Sequence, residues 1–441
     1  MKTDPQKVQA RLRRLRKAGR RRRGQPKPGA APDSPSSPPS EFVAPSSAAA
    51  ADKGCLAELP GMSEVEGTEG RYLLRTVRYP LDRRQGRFTL GELLAASHKA
   101  VGELCKKDEF DVQRAIFLDT ETSGLAGGAG TIVFLTGVGV FEDDAYVVRQ
   151  YFARNPAEER AYLPDLARFI AQRRGLVTFN GRAFDWPLLR FRFLLNNVIP
   201  PDELPHIDLL HHARRLWRSR LGACNFGNLE RRILEYHRRG QDIPSWMIPR
   251  LWFDFARGQS SVQEMAGVLY HNLEDVVSMV PLAHVIAATL AGEMPPHPHD
   301  WLALGRVWQG EGQIQQAETA YRRALAEQLP PTPRAQAMRE LALLLKRSGR
   351  RDEAVVWWEE LAAMEQQQNV EALVELAKHY EWQTGELHRA RAWTEEAIRR
   401  AQTWPSTWRR RQILAELEHR RRRLEKKVAR NLGKSREDVA K

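Results

Sequence analysis

The sequence predicts an α/β domain built on a mixed sheet, followed by an all-α domain of helical repeats and preceded by a basic tail that cannot build a core. Two observations carry this fold class. Between residues 114 and 180, apolar runs of strand length are separated by turn residues and one helical stretch, the pattern of a sheet that includes a crossover. Beyond residue 300, Gly-x-x-x-x-Ala recurs at Gly312/Ala317, Gly349/Ala354 and Gly385/Ala390 with periods of 37 and 36, the mark of stacked helical pairs.

Of 441 residues, 42% are hydrophobic and 28% charged, a soluble globular profile. No run of eighteen apolar residues offers a membrane span, and the basic N-terminus lacks the apolar segment of a secretory signal. Cys55, Cys105 and Cys224 are scattered without ligand spacing, which fits a reducing cytoplasm and no disulfide framework. Net charge is +14, of which residues 1–28 carry +11 and residues 409–441 carry +8, so the middle of the chain is mildly acidic. Such tails bind polyanions without sequence preference, nucleic acid being the commonest, or else serve only solubility.

In order along the chain, residues 1–69 form the expected disordered tail, with four arginines at 20–23 and then a stretch rich in Pro, Ser, Ala and Gly. Order is expected from Gly70, where "GRYLLRTVRYPLDRRQG" alternates like a strand and closes in a turn. "TLGELLAASHKAVGELC" has the spacing of one amphipathic helix, with Leu90, Leu94, Val101 and Leu104 inward. Ala115-Ile116-Phe117-Leu118 is too short for a helix and suits a buried strand ending at Asp119. The connector "GLAGGAG" lacks the Gly-Lys-Ser/Thr ending of a nucleotide loop and reads as a flexible turn. "TIVFLTGVGVF" and "AYVVRQYF" are two strands joined at Glu142-Asp143-Asp144; a helix over 156–172 and a buried strand, "GLVTFN", follow. Helices dominate from 185 to about 291, completing a domain of residues 70–292. Pro295-Pro296-His297-Pro298 marks a linker, residues 300–405 hold the repeats with Trp357 and Trp358 in their core, and residues 406–441 form a basic helix and tail, the helix over 406–432 with a thin apolar stripe at Leu417, Leu424 and Val428.

Chemistry concentrates in a few acids. On a strand, residues two apart project to one face, so Asp119 and Glu121 point together. Two carboxylates held side by side repel, and a cation between them offsets the cost; a solvated acidic turn is the alternative. "TFNGRAFDWPLL" sets Asp185 at the start of a helix just past the fourth strand, and "HIDLLHHARRLW" sets Asp208 at the start of another. "YHNLEDVVSMVPL" places His271 and Asp275 four residues apart on one helix, about 400° of turn and so nearly one face. Tyr270 lies about 140° from Asp275 and is poorly aligned with it.

These motifs resemble the DEDD (DnaQ-like) 3′-to-5′ exonuclease superfamily of ribonuclease H-like folds. The first motif matches Asp119-Thr-Glu121, the second Asn180-Gly-Arg-Ala-Phe-Asp185, and the third His271-Asn-Leu-Glu-Asp275. More closely the chain is similar to the YprB-like ribonuclease H-like group, through "YPLDRRQG", "NLERRIL" and "DIPSWMIPRLWFDFARG" as well as the motifs. The C-terminal part resembles tetratricopeptide repeats, slightly stretched beyond their usual period of about 34. The third motif is spelled His-x-x-x-Asp, with Tyr270 one position earlier, and so matches neither the Tyr-x-x-x-Asp nor the His-x-x-x-x-Asp subclass.

The resemblance implies metal-dependent phosphodiester hydrolysis. Two divalent cations about 3.5–4 Å apart would be held by Asp119, Glu121, Asp185 and Asp275. All-oxygen ligation suits Mg²⁺ or Mn²⁺. His271 would serve as general base, while Asp208 is either a further ligand or a helix N-cap, the cap being favoured. The leading functional expectation is a 3′-to-5′ exonuclease on single-stranded DNA or RNA, with no membrane partner and a protein-docking surface on the repeats. The rival is a scaffold that binds nucleic acid without cutting and recruits partners through the repeats; a third variant is an endonuclease on structured RNA.

Overall fold

The computed structural model describes residues 56–96, 98–107, 109–124, 130–240, 242–294, 296–364 and 369–439, with side chains described to residue 430. Most of the N-terminal tail, Cys55, the middle of the Gly-rich connector (125–129) and Pro295 lie outside these residues.

Seven strands form one sheet in the order β1 (Met62–Gly67), β2 (Gly70–Pro80), β7 (Ala145–Phe152), β6 (Val133–Glu142), β5 (Ala115–Thr122), β8 (Gly175–Thr178), β9 (His206–Asp208). The first five pair antiparallel, while β5–β8 and β8–β9 are parallel. The carboxyl ends of β5, β8 and β9 therefore share one edge, where α/β sheets place their ligands. A separate two-stranded ribbon joins β3 (Arg84–Gln85) to β4 (Phe88–Thr89).

Two departures from the sequence expectation stand out here. The sheet begins at Met62, inside the stretch assigned to the tail, because β1 is an edge strand with no buried residue and so shows no apolar alternation. The single helix expected from Leu90 is instead a 3₁₀ turn over Leu90–Ala95 and a separate α1 (His98–Glu103). A capping box between Thr89 and Glu92 starts the turn, and Ala96 turns extended and ends it. Leu93 is buried and Leu94 only partly so.

Three helices cover the sheet face carrying Ile116 and Leu118, α2 (Glu159–Ala171), α3 (Asp185–Leu195) and α5 (Ile248–Ala256), while α4 (Leu209–Leu221) packs in the core of the opposite face. Ile116 and Leu118 share a core with Tyr162 of α2, Phe193 of α3 and Trp252 of α5, and Phe134 stacks on Trp252 at 4.8 Å between ring centroids. Phe117, on the opposite face, joins the core that includes Val276 and Val280 of α6 (Val262–Ala291). That helix starts in a capping box, Ser261 with Glu264, and ends at Gly292 in the left-handed conformation. It is long and apolar enough to cross a membrane, yet most of it is buried inside this protein.

Two glycines of β6 let α6 approach. A Cβ on Gly137 would lie 2.2 Å from the Asn272 Oδ1, and one on Gly139 would meet Val276 at 2.7 Å.

Beyond α6 come three antiparallel helix pairs: α7 (Trp301–Gly310) with α8 (Ile314–Ala326), α9 (Pro331–Arg347) with α10 (Arg351–Ala363), and α11 (Val370–Trp382) with α12 (Leu387–Gln402). A last long helix, α13 (Trp408–Val439), packs on α12. The repeating Gly and Ala have separate tasks. Gly312, Gly349 and Gly385 have φ of 80°, 81° and 73° in the turn inside each pair, whereas Ala317, Ala354 and Ala390 are buried between the helices. Only the alanines of this signature sit at a helix crossing. Trp358 is buried and Trp357 partly so.

The helical pairs are continuous with the sheet domain. Leu216 and Trp217 of α4 and Ala287 of α6 share one core with Leu304 and Trp308 of α7. Arg220 forms a two-pronged ion pair with buried Asp300, both contacts at 2.8 Å, and the Trp308 indole donates to the Leu290 carbonyl at 3.0 Å.

Candidate active site

Strand alternation carries Asp119 and Glu121 onto the face that meets α6, and Thr120 onto the other. Asp119 pairs opposite Gly137 and Glu121 opposite Leu135, and the register slips just after Glu121. Strand β5 therefore runs through both acids rather than ending at Asp119. The space left by Gly137 admits Asn272, whose amide donates to the Asp119 carboxylate at 2.9 Å. Buried Gln150 fixes that amide in turn, donating to the Asn272 Oδ1 at 2.9 Å and to the Leu269 carbonyl at 2.7 Å.

Asp185 opens α3 and accepts from the Thr120 hydroxyl at 2.5 Å, so adjacent residues of β5 aim at two sides of one site. Asp208 ends β9 and is the N-cap of α4. Its carboxylate caps α4 at the Leu210 amide (3.1 Å) and also accepts from the Asn180 and Arg182 amides at 2.9 and 3.2 Å. It thereby pins the turn that delivers Asp185, with Asn180 held at a φ of 67°.

On α6, His271 and Asp275 stack one turn apart, with Nε2 3.6 Å from the Asp275 Oδ2. The other ring nitrogen, Nδ1, meets Asp242 at 2.6 Å, and Ser245 Oγ is 3.4 Å from Nε2. Tyr270 is half-buried against the backbone at Gly240, and no hydrogen bond joins it to Asp275 among the described residues. Arg238 is the cation of the group. It grips Glu230 through two bonds of 2.9 and 3.0 Å, reaches Asp242 at 3.2 Å, and donates to Asp275.

The electrostatics express a shortage of positive charge. Burial, then the charges of Asp275, Glu121 and Asp185, push the Asp119 carboxyl well above the usual carboxylate range. Burial pushes Glu121 up to about 8; His271 opposes this, and Asp275 and Asp185 add to it. Asp185 rises to about 6, chiefly through burial and held back by the Thr120 hydrogen bond. Burial alone would lower His271, but the Asp242 hydrogen bond and the charges of Asp275 and Glu121 outweigh it and raise the ring to about 9. As placed, no three His, Cys, Asp or Glu side chains among the described residues form a set that could hold an ion. The donor chemistry nonetheless fits divalent cations: the donors are four carboxylates, of which Asp119, Glu121 and Asp185 are held above their usual range, and Arg238 pairs with the fourth, Asp275.

Residues 116–287, the span that holds all four acids, match the model of the RNase_H superfamily. Over 335 residues, 74% of this chain and 80% of the relative, the sequence is 31% identical to a Bacillus subtilis (strain 168) protein named "Uncharacterized protein YprB". The chain belongs to the YprB family. This YprB-family chain thus carries a ribonuclease H-like domain, and its seven-stranded mixed sheet and flanking helices have that fold.

Sequence spacing alone did not reveal several residues of the site in this family member. Asp242, Arg238 and Glu230 come from the segment between α4 and α5, far from the motifs in sequence, and only folding brings them to His271 and Asp275. Asn272 sits inside the third motif and had a signal: a polar residue at a core position of an apolar helix, facing a strand with Gly at alternate positions.

Proposed function

We propose that this protein is a metal-dependent nuclease, a 3′-to-5′ exonuclease acting on single-stranded DNA or RNA. One observation carries the reading: Asp119, Glu121, Asp185 and Asp275 come from one strand and two helices and interact as one group, in which burial and then neighbouring charges push the Asp119 carboxyl above the usual carboxylate range. Two divalent cations of the Mg²⁺ or Mn²⁺ type, held by these four carboxylates, would supply Lewis-acid activation of water and charge for the departing 3′ oxygen. The protein's own groups do the positioning. Asn272 fixes the Asp119 carboxylate, Thr120 fixes that of Asp185, and Asp208 fixes the turn before it. His271, oriented by Asp242 and standing beside Asp275, would take the proton of the attacking water. The helix pairs are assigned as tetratricopeptide-like repeats that dock a protein.

Incubation of end-labelled DNA and RNA oligonucleotides with Mg²⁺ or Mn²⁺ tests the reading. Stepwise shortening from the 3′ end is expected, with at least ~10²-fold loss in Asp119→Ala, Glu121→Gln, Asp185→Asn or Asp275→Asn. Millimolar Mg²⁺ or Mn²⁺ should raise the melting temperature of the parent and not of Asp119→Ala. Tight oligonucleotide binding with neither cleavage nor metal stabilisation would instead establish the non-cutting scaffold.

A further inference from the structure

A cleft of about 780 Å³ opens at the same carboxyl edge of the sheet, beside the acids but separate from them. Its walls are the segment after α1 (Lys106, Lys107), the turn after β8 (Arg182), the first turns of α4 (His211, Arg214) and the α7–α8 turn. Charge sets it apart from the mildly acidic middle of the chain. Among the described residues, no carboxylate pairs with Lys106, Lys107, Arg182 or Arg214. The Arg182 guanidinium donates only to the neutral His206 carbonyl. Of the acids in the lining, Asp208 is turned to backbone amides and Glu311 is taken by Arg215 at 3.0 Å, leaving Glu103.

We propose that this cleft binds the phosphodiester backbone of the nucleic-acid strand whose scissile bond lies at Asp119, Glu121, Asp185 and Asp275. Four cations line the cleft from three separate segments, more positive charge than a single anion needs and suited to the repeating charge of a phosphodiester backbone. Arg182 lies three residues before Asp185, so the cleft and the acids meet at one turn. Exposed His211 offers a ring face for a base. The α7–α8 turn, through Glu311 and Arg215, forms the far wall, so the first helical pair is part of the binding surface. The placement of the scissile bond rests on the nuclease reading; the binding does not.

The test uses the full chain in EDTA, where binding is measured without cleavage. The probes are fluorescent oligo-dT and oligo-U of about 15 nucleotides, within the range of single-strand sites. Lys106→Gln/Lys107→Gln/Arg214→Gln should weaken binding about tenfold or more and reduce the salt slope by ~2, at about 0.7 per lost phosphate contact. A control with the same charge removed elsewhere, Arg160→Gln/Arg232→Gln/Arg347→Gln, should bind as the parent does. In the parent, either oligonucleotide should shield Lys106 and Lys107 from an amine-acylating reagent while Lys99 stays reactive. Equal affinity in the triple variant and its control, or shielding by poly-glutamate as effective as by the oligonucleotides, overturns the proposal. A parent that fails to cleave with Mg²⁺ or Mn²⁺ would sink the nuclease reading and leave these binding results standing.

Discussion

His271 illustrates how a single side chain is tuned by groups from other segments. Its raised pKa means that, without cations, the ring stabilises the fold when charged. That contribution is complete below 6.5 and is lost as pH climbs through about 9, so EDTA-treated protein should melt progressively lower across that window. As a base the ring must be neutral, so the rate should rise with pH on an acidic limb set by His271. Asp242→Asn replaces a charged hydrogen-bond partner worth ~1.5–3 kcal/mol, and should move that limb down by roughly 1–2 pH units. A limb that stays in place would separate Asp242 from the base. His271→Ala should cost about 10²–10⁴-fold, whereas Tyr270→Phe should be nearly silent; the reverse ranking would assign the base to Tyr270. The pairing of His271 with Asp275 was legible from helix phase alone, because α6 starts well before residue 271. Asp242 was not, since nothing local distinguishes a loop aspartate that folding brings to a histidine 29 residues away.

At the scale of elements, the site depends on how closely α6 lies on β6. Gly137→Ala would force a methyl into the Asn272 amide and should cost about 1–3 kcal/mol. It should also slow turnover, because Asn272 could no longer hold Asp119. Asn272→Ala opens that space, so the double variant should be more stable than the sum of the two losses in denaturant titrations; strict additivity would mean the contact does not matter. The central strands were readable because they are buried on both faces and so are mostly apolar, with few polar interruptions. Strand β1 escaped because its register exposes it, and the break after Leu90–Ala95 escaped because a capping box resembles a helix start of any length.

For the whole molecule, the repeat period was visible because each turn needs a left-handed glycine and each crossing a small side chain. The C-terminal basic stretch looked like a tail, yet α13 is anchored by Glu381. That side chain is fully buried and meets Arg420, Arg423 and Lys427 at 2.9, 2.7 and 2.8 Å. Burial would raise its pKa, but Lys427 and Arg423 outweigh it and lower it, so its contribution is present above 4.5 and is lost as pH falls below that value. Glu381→Gln should cost about 1–3 kcal/mol, a figure discounted because Arg423 and Lys427 are partly solvated. Faster trypsin cleavage within α13 at neutral pH, in the variant alone, is the expected sign; equal cleavage would show that apolar packing suffices.

The Pro-rich stretch at 296–298 invites division of the protein into a ribonuclease H-like half and a repeat half. Asp300 with Arg220, and Trp308 against the end of α6, argue against that cut. Severed there, the first piece would display the greasy flank of α4 and α6, and the second would lose the surface on which its stack of helices begins. An expression boundary chosen by proline would therefore yield two sticky fragments, recoverable together when co-produced, whereas the intact chain closes the stack with the sheet domain at one end and α13 at the other.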